Sequence, residues 1–191
     1  MPLLREADLR ALSARLVESR GLRKSAQVLT GAMRAEEGTA FDVFVSHSFL
    51  DSDLVLGLRL KLEQFGLKAY VDWADDPQLD RASVSKGTAE LLRSRMRSSR
   101  SLFYAVTGNA SASKWMPWEC GFFDGLKGRV AICPVVSGYD YHFSGQEYLG
   151  IYPYVSEAND NSGRARLWVQ TDTTTYVTLE NWLSGSNPVQ H

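Results

Sequence analysis

A chain of 191 residues with a formal net charge of −1 carries neither the basic footprint of a nucleic-acid binder nor an acidic tail, and its size suits one domain with a sizeable core. Two cysteines without a Cys-x-x-Cys pair and three scattered histidines, His47, His142 and His191, argue against a disulfide scaffold and against a metal site. No run reaches the length needed to span a bilayer and the N-terminus lacks an apolar secretory segment, so a cytoplasmic setting without membrane contact is expected.

Leu9, Leu12 and Leu16, with charges between them, predict an amphipathic helix over 4–19 that Gly21 stops. Ala26, Leu29 and Met33 repeat the pattern over 24–36, and Gly38 closes it. Residues 1–39 therefore read as a helical extension that packs on the flank of a domain spanning 40–191, or mediates association. Phe41–Ser46 is rich in aromatic and β-branched residues and predicts a strand. It runs into a polar loop, 47–53, where Asp51 is placed to cap a helix striped by Leu54, Leu58, Leu62 and Phe65. A second strand is predicted at 68–73 after Gly66. This β-α-β unit implies parallel strands and a right-handed crossover.

The charged loop from Ala74 to Arg81 leads to a helix over about 83–97, where Arg93, Arg95, Arg97 and Arg100 read as a solvated face. Leu102–Val106 and Val130–Val135 are short apolar runs of the kind that make buried strands. Between them a helix is predicted over 115–127, with Ser113 as N-cap and Pro117 tolerated in the first turn. Trp115 and Glu119 are four apart and so project from one face. Taken alone, this stretch reads equally as a helix start with two packing tryptophans and a Glu that favours the first turn. An aromatic, glycine-bearing loop follows at 137–150. A strand at 151–155 is demoted to an edge by Pro153, and another strand is predicted at 165–169. A short helix at 179–183 and a fraying tail, 184–191, complete an α/β reading.

Three local signatures, in this order, resemble a bacterial Toll/interleukin-1 receptor (TIR) domain over roughly residues 40–183. The first is Phe41-Asp42-Val43-Phe44-Val45-Ser46-His47-Ser48, similar to that family's opening strand. The second is Tyr70-Val71-Asp72-Trp73 with the long loop behind it. The third is Ser113-Lys114-Trp115-Met116-Pro117-Trp118-Glu119, similar to the Trp-x-x-x-Glu segment that bears the catalytic glutamate, continued by Gly121-Phe122-Phe123-Asp124-Gly125. Many family members carry Cys where Met116 stands.

The resemblance implies a flavodoxin-like parallel sheet of about five strands with helices on both faces. It implies cleavage of NAD+ at the nicotinamide–ribose bond, with NAD+ as substrate and no cofactor. The product is ADP-ribose, a cyclic isomer or a transfer product. Bacterial members of the Thoeris-like kind work in anti-phage defence, by depleting NAD+ or by making a signal for a downstream effector that senses the nucleotide product. Self-association through the 74–82 loop is also implied.

Loss of nicotinamide leaves an oxocarbenium-like sugar, whose charge a carboxylate stabilises as in glycosidases. Glu119 is the expected catalytic residue. Trp115, Trp73 and Phe49 are expected to flank the ring or the adenine, and Ser46 and His47 to touch ribose or phosphates, with Asp72 and Lys114 as further substrate contacts. Two other readings stay open: a non-catalytic TIR scaffold acting through assembly, and an enzyme like the nucleoside deoxyribosyltransferases, which also place a Glu at a glycosidic carbon. A phospho-receiver domain is set aside, because Ser46-His47 and Thr107 stand where its acidic residues are needed.

Overall fold

The computed structural model describes residues 1–19, 38–76, 85–143, 145 and 147–191. Its strands are β1 (Leu4–Arg5), β2 (Phe41–Ser46), β3 (Ala69–Tyr70), β4 (Ser99–Val106), β5 (Val130–Val136), β6 (Tyr154–Asn159), β7 (Ala165–Gln170), β8 (Thr175–Thr178) and β9 (Val189–Gln190). Its helices are α1 (Glu6–Ser19), α2 (Ser52–Gln64), α3 (Asp72–Asp75), α4 (Lys86–Arg97), α5 (Trp115–Lys127) and α6 (Leu179–Leu183). They form an α/β fold around one sheet, ordered β3-β2-β4-β5-β6-β7-β8-β9, with β1 paired to β5. The five strands from β3 to β6 run parallel, in agreement with the flavodoxin-like expectation. Strands β7, β8 and β9 extend the sheet as an antiparallel meander.

Alternation along the parallel strands divides the core. Val43, Val45, Phe103, Ala105, Ala131 and Cys133 point to one face, under Leu9 of α1, Leu58 and Leu62 of α2 and Trp182 of α6. Phe44, Leu102, Tyr104 and Ile132 point to the other, under Leu92 and Met96 of α4 and Met116, Cys120 and Phe123 of α5. Helices therefore cover both faces.

Of the expected N-terminal extension, residues 1–19 are described, and the second helix at 24–36 lies outside the described residues. The described part shares the sheet and core of the domain. Leu4 pairs with Val135, Arg5 with Val136, and Leu3, Leu4 and Leu9 are buried. Helix α1 lies so close to α2 that a Cβ on Gly57 would stand 2.0 Å from the Leu9 carbonyl oxygen. Gly57→Ala is expected to push the two helices apart at a cost of about 1–3 kcal/mol, read as a lowered urea midpoint.

Three local readings change. The second strand stops at Tyr70, because side chains capture the backbone that would continue it. Asp72 Oδ1 accepts from the Trp73 N–H at 2.7 Å and Asp75 Oδ2 from the Val71 N–H at 2.7 Å, which closes a helical turn instead. The strand after the aromatic loop begins at Tyr154 and is interior, between β5 and β7. Pro153 sits just before it, and its carbonyl still accepts from the Ile132 N–H at 2.8 Å. The C-terminal tail does not fray: Val189 and Gln190 pair with β8, and His191 stacks on Tyr176 at 4.3 Å.

Candidate active site

The expected site residues come from the carboxyl ends of β2, β3 and β4, the edge where open α/β sheets bind ligands. Ser46 is the last residue of β2 and pairs in register with Tyr104 of β4, so both side chains point toward α5. Helix α5 opens after a turn in which the Met116 N–H donates to Ser113 Oγ at 3.3 Å, the capping bond anticipated for Ser113. One turn later Glu119 points inward. It is fully buried, and its Oε2 accepts a hydrogen bond from Ser46 Oγ at 2.6 Å.

His47 follows directly and is buried. Its Nδ1 stands 2.9 Å from the Val45 carbonyl oxygen, and its Nε2 accepts from the Trp73 indole N–H at 3.0 Å. An indole donates only, so Nε2 carries the lone pair and Nδ1 the proton. Asp72 Oδ1 is 3.3 Å from the same Nε2. Imidazole, indole and carboxylate thus meet at one point beside the β2 end. Trp115 is half-buried one turn before Glu119, edge-on to Trp118 with ring centroids 5.4 Å apart. Trp118 stacks on Phe122 and lies under the Arg93 guanidinium, which ties it to the outer face of α5.

The structure therefore joins Ser46 to Glu119, and His47 to Asp72 and Trp73. Lys114 is exposed at the mouth of α5, and Phe49 is 67% exposed on the turn after β2.

Three residues gain roles that local patterning missed. Asp51 stands at the N-cap position of α2, as expected, but its side chain makes no cap bond: Oδ2 accepts from Thr107 Oγ1 at 2.5 Å and Oδ1 from Asn109 Nδ2 at 2.7 Å. It staples the loop that follows Ser46 to the loop after β4, which leads on to α5 and Glu119. Asp51→Ala is expected to leave Thr107 and Asn109 without this acceptor and to cost about 1–3 kcal/mol in chemical denaturation. Arg95, read as solvated, is buried against Asp76. Tyr104 lies within electrostatic reach of Glu119, and burial holds its phenol protonated, aided by a hydrogen bond with Tyr148. A sequence signal for Tyr104 existed only in its register with Ser46.

Cys120 neighbours Glu119 in sequence, but burial pushes its thiol up to about 11, which makes it a poor nucleophile near neutral pH. Among the described residues no group of three His, Cys, Asp or Glu side chains is placed to hold a metal ion, and no helix is long and apolar enough to cross a membrane.

No family model matches the chain. It is similar, at 49% identity over 150 residues that cover 78% of each chain, to a protein of Bacillus cereus (strain MSX-D12) named 3' cyclic ADP-D-ribose synthase ThsB'. It is also similar, at 30% identity over 94 residues, to a Cytobacillus dafuensis protein named cyclic ADP-D-ribose synthase TIR2, covering 49% of this chain and 24% of that one. Both names are given as provisional.

Proposed function

The chain belongs to the bacterial TIR-domain family, and from that premise we propose that it cleaves the nicotinamide–ribose bond of NAD+ and closes the freed sugar on a hydroxyl of the same molecule. It acts as an ADP-ribosyl cyclase whose product serves anti-phage signalling. NAD+ is the substrate, and no cofactor takes part.

Glu119 is the catalytic residue. When the glycosidic bond breaks, its electron pair leaves with nicotinamide, which departs neutral and needs no general acid. The sugar becomes oxocarbenium-like, and the carboxylate of Glu119 meets that charge. A hydroxyl of the adenosine ribose then bonds to the anomeric carbon and gives its proton to the carboxylate. Trp115 flanks the ring on one side. His47, Asp72 and Trp73 form the neighbouring wall, and Phe49 and Lys114, exposed at the same edge, meet the rest of the dinucleotide.

The observation that supports this reading is the position of Glu119 at the carboxyl edge of the parallel sheet, where its Oε2 meets the Ser46 hydroxyl at the end of β2. The names of the two relatives point the same way. Glu119 is fully buried, so its proposed role requires this edge to open for NAD+. Self-association through the 74–82 loop is the proposed trigger; Ala74, Asp75 and Asp76 of that loop are buried and 77–82 lie outside the described residues. A downstream effector that senses the nucleotide product is the proposed partner.

The test is mass spectrometry of NAD+ incubated with concentrated or crowded protein. The expected product is one water lighter than ADP-ribose. ADP-ribose alone would make the protein a hydrolase, and no loss of NAD+ would favour the scaffold reading.

A further inference from the structure

We infer that Ser46 is a positioning residue that orients the carboxylate of Glu119, and does not itself bind NAD+. This inference rests on the proposed role of Glu119. The terminal torsion of a glutamate is broad and roughly two-fold, so a carboxyl group left to itself rotates among many directions. The Ser46 hydroxyl donates to Oε2 at 2.6 Å, at the short end of the O–H···O range. With that oxygen fixed, Oε1 takes one defined direction.

The donor stands on a rigid support. Ser46 closes β2, is fully buried, and is paired in register with Tyr104 on the neighbouring strand. Glu119 comes from α5, 73 residues further on, and its helix packs on β4 through Met116, Cys120 and Phe123. The bond therefore joins the end of a strand to the first turns of a helix far along the chain. The one proton of that hydroxyl is already committed to the carboxylate, so Ser46 has none to donate to a ribose or phosphate oxygen. Orientation matters here because a carboxylate displaced by about 1 Å from a developing charge loses on the order of a hundredfold in rate.

The experiment is steady-state NAD+ turnover by the full chain carrying Ser46→Ala, Ser46→Thr or Ser46→Cys, with Glu119→Gln as control and thermal unfolding of each. Ser46→Ala is expected to lower kcat by about ten- to a hundredfold with KM within about twofold of wild type. Ser46→Thr, which keeps the hydroxyl, is expected to recover most of kcat, and Ser46→Cys, a weaker donor, to fall between them. Unchanged kcat in Ser46→Ala overturns the inference, and so does a raised KM with kcat intact, which would mean that Ser46 touches substrate. Should Ser46→Ala unfold, the Thr and Cys variants decide: kcat of Cys equal to that of Thr overturns the inference. Turnover retained by Glu119→Gln would bring down the reading of the site itself. Loss in Glu119→Gln with full kcat in Ser46→Ala removes only the role of Ser46.

Discussion

Glu119→Gln is expected to abolish NAD+ loss, lowering turnover by on the order of a thousandfold or more, while the fold is kept. The amide is nearly isosteric with the carboxyl, and its oxygen can still accept from Ser46 Oγ. What disappears is the negative charge. A neutral amide stabilises a sugar cation far less, and it takes no proton from the attacking hydroxyl. Stability should move the other way. Taking an ionised carboxyl out of water costs several kcal/mol, whereas a hydrogen-bonded amide in the same place costs less (order of magnitude). Thermal unfolding of Glu119→Gln is therefore expected at or above the wild-type midpoint. Activity lost together with stability gained is the signature of a charge kept for chemistry. Retained turnover removes Glu119 from the mechanism. Lost turnover with a collapsed fold would make the residue structural.

The parts of this site that depend on one element's own periodicity are legible in the sequence. Trp115 and Glu119 share a helix face because they are four apart, and Ser46 ends a run of strand-forming residues. The β-α-β alternation likewise places the sheet and both helical layers. What stays hidden are bonds between distant segments. Asp51 looks like a cap because it precedes a leucine-striped helix, yet its partners are 56 and 58 residues away. Arg95 looks solvated because it sits among other arginines, yet a carboxylate 19 residues earlier draws it into the protein. Trp73 reads as strand by composition, but the carboxylates of Asp72 and Asp75 bind backbone N–H groups and turn the chain into α3. That turn is what brings the indole N–H of Trp73 to His47. In each case a polar side chain, which hydrophobic patterning ignores, decided the geometry.

Asp76→Ala is expected to cost about 3–5 kcal/mol, because it leaves the Arg95 guanidinium buried without its main counter-charge. The pair is bidentate: Arg95 Nε donates to Asp76 Oδ2 at 2.8 Å and Nη2 to Oδ1 at 3.0 Å. The Tyr70 hydroxyl donates to Oδ2 at 2.9 Å, and the two charged side chains are only 7% and 1% exposed. For a chain of this length each kcal/mol moves the midpoint by about 2–4 °C, so calorimetry should show a fall of roughly 10 °C. The double variant Asp76→Leu with Arg95→Met should recover part of the loss, since a packed apolar pair avoids both ionic desolvation costs but leaves the Tyr70 hydroxyl without this acceptor. A fall under about 2 °C in Asp76→Ala would mean that water reaches the guanidinium and that the pair is no better than a surface one. The site should register the change too. Asp76 directly follows α3, whose first two residues, Asp72 and Trp73, contact His47. Loosening the end of that one turn frees Trp73 to leave Nε2, so KM for NAD+ is expected to rise in Asp76→Ala at temperatures where the protein is still folded. A lowered midpoint with an unchanged KM would confine the ion pair to stability and place the orientation of Trp73 under local control by Asp72 and Asp75.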